Sequence, residues 1–179
     1  MSCARHIATT IPLLLTASLA GAQQPTRTPA RNKPLIAMID RYLRDPFNAD
    51  LGGAIMDSGD ARHDVTMVLA AEVMPWTCYA DTNTTLKALD QLLSIVYVAG
   101  NMRAQLAVDS NANNVKEGMA AVIRVYPLVK AQYPRYVVPE VERWLSMPAT
   151  ARRAFADSVA RHLTECSSRP ALYRPGVFP

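Results

Sequence analysis

From residue 84 to residue 107 the chain repeats apolar side chains at helical spacing. Leu86, Leu89, Leu93, Val96, Tyr97 and Gly100 fall on one face, which Leu92 and Leu106 widen. This pattern predicts one long helix, and so broad an apolar face has to be covered by other parts of the chain. Asp81-Thr82-Asn83-Thr84-Thr85 just ahead of it is rich in side chains that satisfy the free N–H groups of a first helical turn. Gly100 in the middle of the stripe predicts a close crossing by a second helix, because a missing Cβ lets two backbones approach.

The segments able to cover that stripe are themselves helical in period. Pro34 suits a first helical position, and Leu35, Ile39 and Tyr42 give the helix one apolar face before Asp45-Pro46 stops it. Residues 48–59 are ambiguous: Leu51 and Ile55 make one turn, and Gly52-Gly53 weaken it. Asp60 is then expected to cap a second helix through Val65, Val68, Leu69 and Val73, ended by Pro75. After a polar turn at 109–114, Val115, Met119, Val122, Ile123 and Tyr126 form the next apolar face, and Pro127 predicts a kink or restart. Pro139 opens a short helix with Val141, Trp144 and Leu145. Its Glu140 and Glu142 suit the positive N-terminal end. Thr150 is expected to cap a last helix carrying Phe155, Val159, Leu163 and Cys166 on one side. No segment has strand period, and no stretch repeats. The expected class is all-α: an irregular bundle of about five or six helices around a long central antiparallel helix hairpin, with one disulfide.

The disulfide follows from the first 22 residues. Arg5, the apolar run Ile11-Pro12-Leu13-Leu14-Leu15-Thr16-Ala17-Ser18-Leu19-Ala20-Gly21 and the small-residue site Ala20-Gly21-Ala22 have the order of a secretory signal peptide. That run is shorter than the ~20 residues a membrane span needs. Cleavage near Ala22 predicts a periplasmic or extracellular protein, with no transmembrane segment in the mature chain. It removes Cys3 and leaves Cys78 and Cys166 where thiols oxidise, so the two are expected to bridge. Closing a loop over the 88 positions from Cys78 to Cys166 restricts the unfolded chain by on the order of 4–5 kcal/mol. The expected organisation is a signal peptide at 1–22, a flexible leader at 23–32, a single helical domain at 33–167 and a proline-rich extended tail at 168–179.

Charge narrows the partners. The chain holds 19 Lys and Arg against 15 Asp and Glu, and cleavage takes Arg5 from that excess. The cations are scattered, at Arg41, Arg44, Arg103, Arg124, Arg135, Arg152, Arg153 and Arg161, so they read as solvated faces and nucleic acid is not an expected partner.

Each polar cluster has an ordinary role beside a chemical one. Asp57, Asp60, His63 and Asp64 form a weak candidate polar site, and capping plus charge set against a helix dipole explains the same residues. Asp109-Ser110-Asn111-Ala112-Asn113-Asn114 resembles the first half of a calcium loop, but its sixth position is Asn114 and its twelfth is Ala120, where Gly and Glu are needed. Ser158 and His162 share a helix face without a third orienting residue. No metal site, cofactor or catalytic set is therefore expected. Tyr126, Tyr133, Arg135, Tyr136 and Trp144 share one proline-broken region, and they are residue types enriched at binding hot spots. They are the candidate partner-binding residues. The expected function is a small exported protein-binding domain without catalysis, such as an inhibitor, immunity protein or envelope accessory protein, whose partner is another envelope or secreted protein. A helical carrier of a small apolar ligand or lipid is the alternative, with seven methionines after Met1 as potential pocket lining. An enzyme with a dispersed Asp/His site is the second alternative.

Overall fold

A computed structural model of the chain describes residues 30–67, 69–78 and 83–167, and of residues 78 and 163–167 the backbone alone. The expected signal peptide, most of the leader, the tail and the expected Cys78–Cys166 bridge lie outside these residues. The described residues form six α-helices and no strand.

The long stripe is one helix, α3 (Thr84–Val108). Asn83 caps it, its Oδ1 accepting from the amides of Thr85 and Leu86. Asp109 ends it in the left-handed region at φ 52°, a backbone conformation that Asp tolerates better than most residues. The next helix, α4 (Val115–Gln132), is capped by Asn114 and carries Pro127 inside it without a break. Tyr97 meets Gly118, Gly100 meets Glu117 and Ala121, and Asn101 meets Asn114, so the two helices run antiparallel. A Cβ on Gly100 would stand 2.5 Å from the Ala121 Cβ and 2.6 Å from the Glu117 carbonyl oxygen, which is the close crossing the sequence predicts.

The remaining helices cover the two outer sides of this hairpin. On the α3 side lie α1 (Lys33–Tyr42) and α2 (Ala49–Asp60); on the α4 side lie α5 (Pro139–Ser146) and α6 (Ala149–Ser167). Ile39, Tyr42, Ile55, Leu93, Val96, Tyr97, Val122, Val125, Tyr126 and Val141 make one continuous buried core. All seven methionines after Met1 lie in that core or against it, so they fill gaps between helices.

The region 48–74 departs from the sequence reading. Residues 48–59 hold a helix, and Asp60 is its last residue, not the cap of another. Asn48 supplies the N-terminal cap, its Oδ1 accepting from Leu51 N at 3.1 Å. Gly52, read as a breaker, is buried against the Tyr42 ring, which a Cβ there would meet at 3.2 Å. Close packing thus offsets the glycine's poor helix propensity. The expected helix beyond Asp60 does not form; the described residues 61–67 and 69–74 are irregular backbone. Gln105 on α3 fixes this segment by a paired amide contact: its Oε1 accepts from Thr66 N at 2.9 Å and its Nε2 donates to Thr66 O at 2.7 Å. Those main-chain groups are thereby satisfied without a helix. Farther on, Trp76 is fully buried and donates to Ser94 Oγ at 2.9 Å, docking the Pro75–Cys78 turn on α3.

Ala30–Asn32 and Thr150 differ from the sequence expectation, and Pro127 is carried inside α4 without a break. Ala30–Asn32, assigned to the leader, forms a 3-10 turn whose Asn32 is buried, donating to Leu106 O and accepting from Arg62. Thr150 lies within α6, which begins one residue earlier. Pro127 sits at an exposed position of α4, so the bond it cannot donate is lost on the wet side of the helix.

Candidate functional site

The aromatic cluster belongs to the core. Tyr126 and Trp144 are 0% and 1% exposed and Tyr136 is 5% exposed; Tyr133 is half-buried and only Arg135 is open to solvent. The Tyr126 hydroxyl accepts from Val138 N at 2.9 Å and donates to Glu142 Oε1 at 3.0 Å. Tyr136 donates to Asp90 Oδ1 at 2.7 Å, and the two tyrosine rings stand 6.2 Å apart. Tyr133 packs on Phe47, and Trp144 on Phe155. These side chains pin the irregular 133–138 backbone to α3, α4 and α5. Burial pushes the Tyr126 phenol up to about 12, and burial plus the Asp90 carboxylate pushes Tyr136 higher still. The five residues therefore form no shared surface.

The acidic cluster is likewise divided among different tasks. Asp57 lines a groove between α2 and α3, while Asp60 and His63 are exposed. Asp64 is held by the Arg62 guanidinium, which also donates to Asn32, and by Arg31 at 3.5 Å. The Arg62 contact, ahead of the other causes, draws the Asp64 carboxyl below its ordinary range. Arg31 also reaches Asp109 at 2.9 Å. The oxygens of the 109–114 turn face protein donors too: Asn113 Oδ1 accepts from Asn101, and Asn114 caps α4. Among the described residues no three His, Cys, Asp or Glu side chains come together as a metal site. Ser158 and His162 are both exposed on α6.

What the helices do bring together is a basic groove. Between α4 and the start of α6 lies an open depression of about 270 Å³, floored by Met119, Ile123 and Ala156 and rimmed by Lys116, Arg124, Arg152 and Arg153. Two of its cations come from each helix. No carboxylate lines it, and among the described residues none of the four cations forms an ion pair. The first turn of α6 holds no acid, although a helix N-terminus attracts negative charge. In the sequence these cations look scattered, since Arg124 and Arg152 are far apart along the chain. The one local signal was the Arg152-Arg153 pair next to a helix start with no acid beside it.

A depression of about 500 Å³ adjoins the basic groove, sharing Ala120 and Arg124 with it, and is also lined by Asp40, Arg103 and Glu117. Two more flank the bundle. One, of about 430 Å³ between α2 and α3, is lined mainly by apolar and aromatic groups including Tyr42, Phe47, Met56, Leu92 and Ile95. The other, of about 490 Å³, lies between the 71–75 segment and α5 and α6, with Glu72, Pro75, Trp144, Phe155 and Val159 around it. Among the described residues no helix is long and apolar enough to cross a membrane. Comparison of the chain with protein-family models, with curated proteins and with solved structures finds no match.

Proposed function

We propose that the chain is exported, loses residues 1–22, and works as a small helical protein-binding domain with no chemistry of its own, of the inhibitor, immunity or envelope accessory kind. The observation that carries this reading is the α4–α6 groove. It is open to solvent, apolar at its floor and lined by charges that the described part of the chain leaves unpaired. Apolar anchors within a polar rim are the usual anatomy of a protein interface.

The reading includes a Cys78–Cys166 bridge between the Pro75–Cys78 turn and the end of α6. Its support is the sequence: export removes Cys3 and leaves these two cysteines in an oxidising compartment. A carrier of a small apolar ligand is the second reading, favoured by the aromatic-lined groove between α2 and α3.

The test starts from the protein recovered from the envelope of the expressing cell. Its intact mass is expected to begin at Gln23 and to be lighter by the two hydrogens of one disulfide. The same protein is then used to capture partners from envelope extract, beside an Ala120→Trp variant that fills the groove from an exposed position. One protein retained by the wild type and lost with Ala120→Trp is expected. Capture of no protein, together with a co-purified apolar small molecule, would favour the carrier.

A further inference from the structure

We propose that the α4–α6 groove receives an acidic amphipathic helix of the partner, with its carboxylates on Lys116, Arg124, Arg152 and Arg153 and its apolar face on Ala120, Ile123 and Ala149. This inference rests on the protein-binding reading and names the chemistry of what is bound.

Charge is the first argument. The two helices place four cations around one depression, and no acid lines it. Glu117, the nearest acid in sequence on α4, lines the adjoining depression with Asp40 and Arg103, which pair with each other; Arg124 borders both depressions, and among the described residues it forms no ion pair with these acids. Like charges gathered without counter-charges repel, and a ligand carrying carboxylates relieves that repulsion. The start of α6 adds to it. Arg152 stands in the first turn of α6, where the helix dipole disfavours cations, and Ala149 at the first position of the helix lines the same groove. An incoming carboxylate there meets both guanidinium donors and the positive end of α6.

Spacing is the second argument. Lys116 and Arg124 are eight residues apart on α4, about 12 Å along its axis at a rise of ~1.5 Å per residue. Carboxylates two turns apart on a helix lying along α4 match that interval, and the residues between them on the same face then lie over Ala120 and Ile123. The floor selects against an acyl chain. Lys116, Ala120, Arg124 and Arg153 are all exposed, so the depression is a shallow trough between helices, and a lipid tail laid in it stays half in water. A helix brings its own second wall.

The test uses fluorescence anisotropy of the purified chain with synthetic peptides: an amphipathic helix with glutamates two turns apart beside a leucine face, the same peptide with lysine for glutamate, and an acidic peptide of the same composition with the pattern scrambled. Phosphatidylglycerol vesicles form the lipid arm. The acidic amphipathic peptide is expected to bind. Its affinity is expected to fall roughly tenfold or more with Arg152→Glu/Arg153→Glu, and to fall steeply with added salt. Arg41→Glu/Arg44→Glu, which changes as much charge at exposed positions outside the groove, is expected to leave it intact. Equal binding of the lysine or scrambled peptide, indifference to Arg152→Glu/Arg153→Glu, or binding to vesicles with none to peptide would each overturn the proposal. The partner captured from envelope extract separates the two levels. Loss with Ala120→Trp but not with Arg152→Glu/Arg153→Glu removes the acidic helix and keeps the protein-binding groove; indifference to both removes the groove as the binding face.

Discussion

At the scale of single residues, the glycines give the sharpest contrast. Gly100 sits where a Cβ would overlap Ala121 and the Glu117 carbonyl, both parts of the facing helix that have no freedom to move aside. Gly53 on α2 has nothing within 4 Å of where its Cβ would stand. Gly100→Ala is therefore expected to lower unfolding free energy by about 1–3 kcal/mol through overpacking, and Gly53→Ala to raise it by roughly 0.5–1 kcal/mol through helix propensity. Urea denaturation of the two variants checks both signs, and a neutral Gly100→Ala would mean that α3 and α4 cross less closely than described. Gly100 was legible because a glycine inside an otherwise strong apolar stripe needs a reason. Asn101 and Gln105 were not legible. A polar residue beside a stripe reads as solvent-facing, yet Asn101 is fully buried and Gln105 nearly so, and their partners, Thr66 and the 113–114 turn, are not near neighbours in sequence.

At the scale of elements, α1, α3, α4 and α5 follow the sequence pattern closely, because capping residues and prolines mark their ends and one periodic face fills each interior. The reading failed between 48 and 74, where tertiary contacts overrule local preference. Gly52 is repaid by the Tyr42 ring, and the segment after Asp60 trades its own helical bonds for the Gln105 amide. Gln105→Leu keeps a similar volume and removes both contacts to Thr66, so it is expected to cost about 1–3 kcal/mol and to speed hydrogen exchange at the Thr66 amide. Unchanged stability and unchanged protection at Thr66 would show that the segment is held by its apolar side chains alone. The four cations of the groove escaped notice for a related reason. Each helix contributes only part of the site, and the pairing of α4 with the start of α6 is not written in either.

At the scale of the whole molecule, the core contains four tyrosines that are buried as neutral phenols. Burial pushes Tyr97 and Tyr126 up to about 12, from an ordinary value near 10, and Tyr42 and Tyr136 further. The Asn101 amide beside Tyr97 restrains its rise, although no group meets that hydroxyl in hydrogen-bond geometry among the described residues. A raised folded-state value means that the stabilisation is complete below pH ~10 and is lost as the pH climbs through ~12. A phenolate absorbance titration is expected to show these four of the seven tyrosines ionising late and together with the loss of helical circular dichroism. Titration of all seven near pH 10 with the helices intact would contradict their burial. The Gln105 contact bears on the order in which the molecule assembles. The Asn101–Asn114 contact in the α3–α4 hairpin closes over 13 positions, whereas Thr66 reaches Gln105 over 39 and Arg31 reaches Asp109 over 78. Short closures cost less chain entropy and form sooner. By this measure the hairpin is expected to form first, the backbone around Thr66 to dock on it next, and the Arg31–Asp109 contact to close last. In Gln105→Leu, limited proteolysis is expected to gain most at the irregular backbone around Thr66.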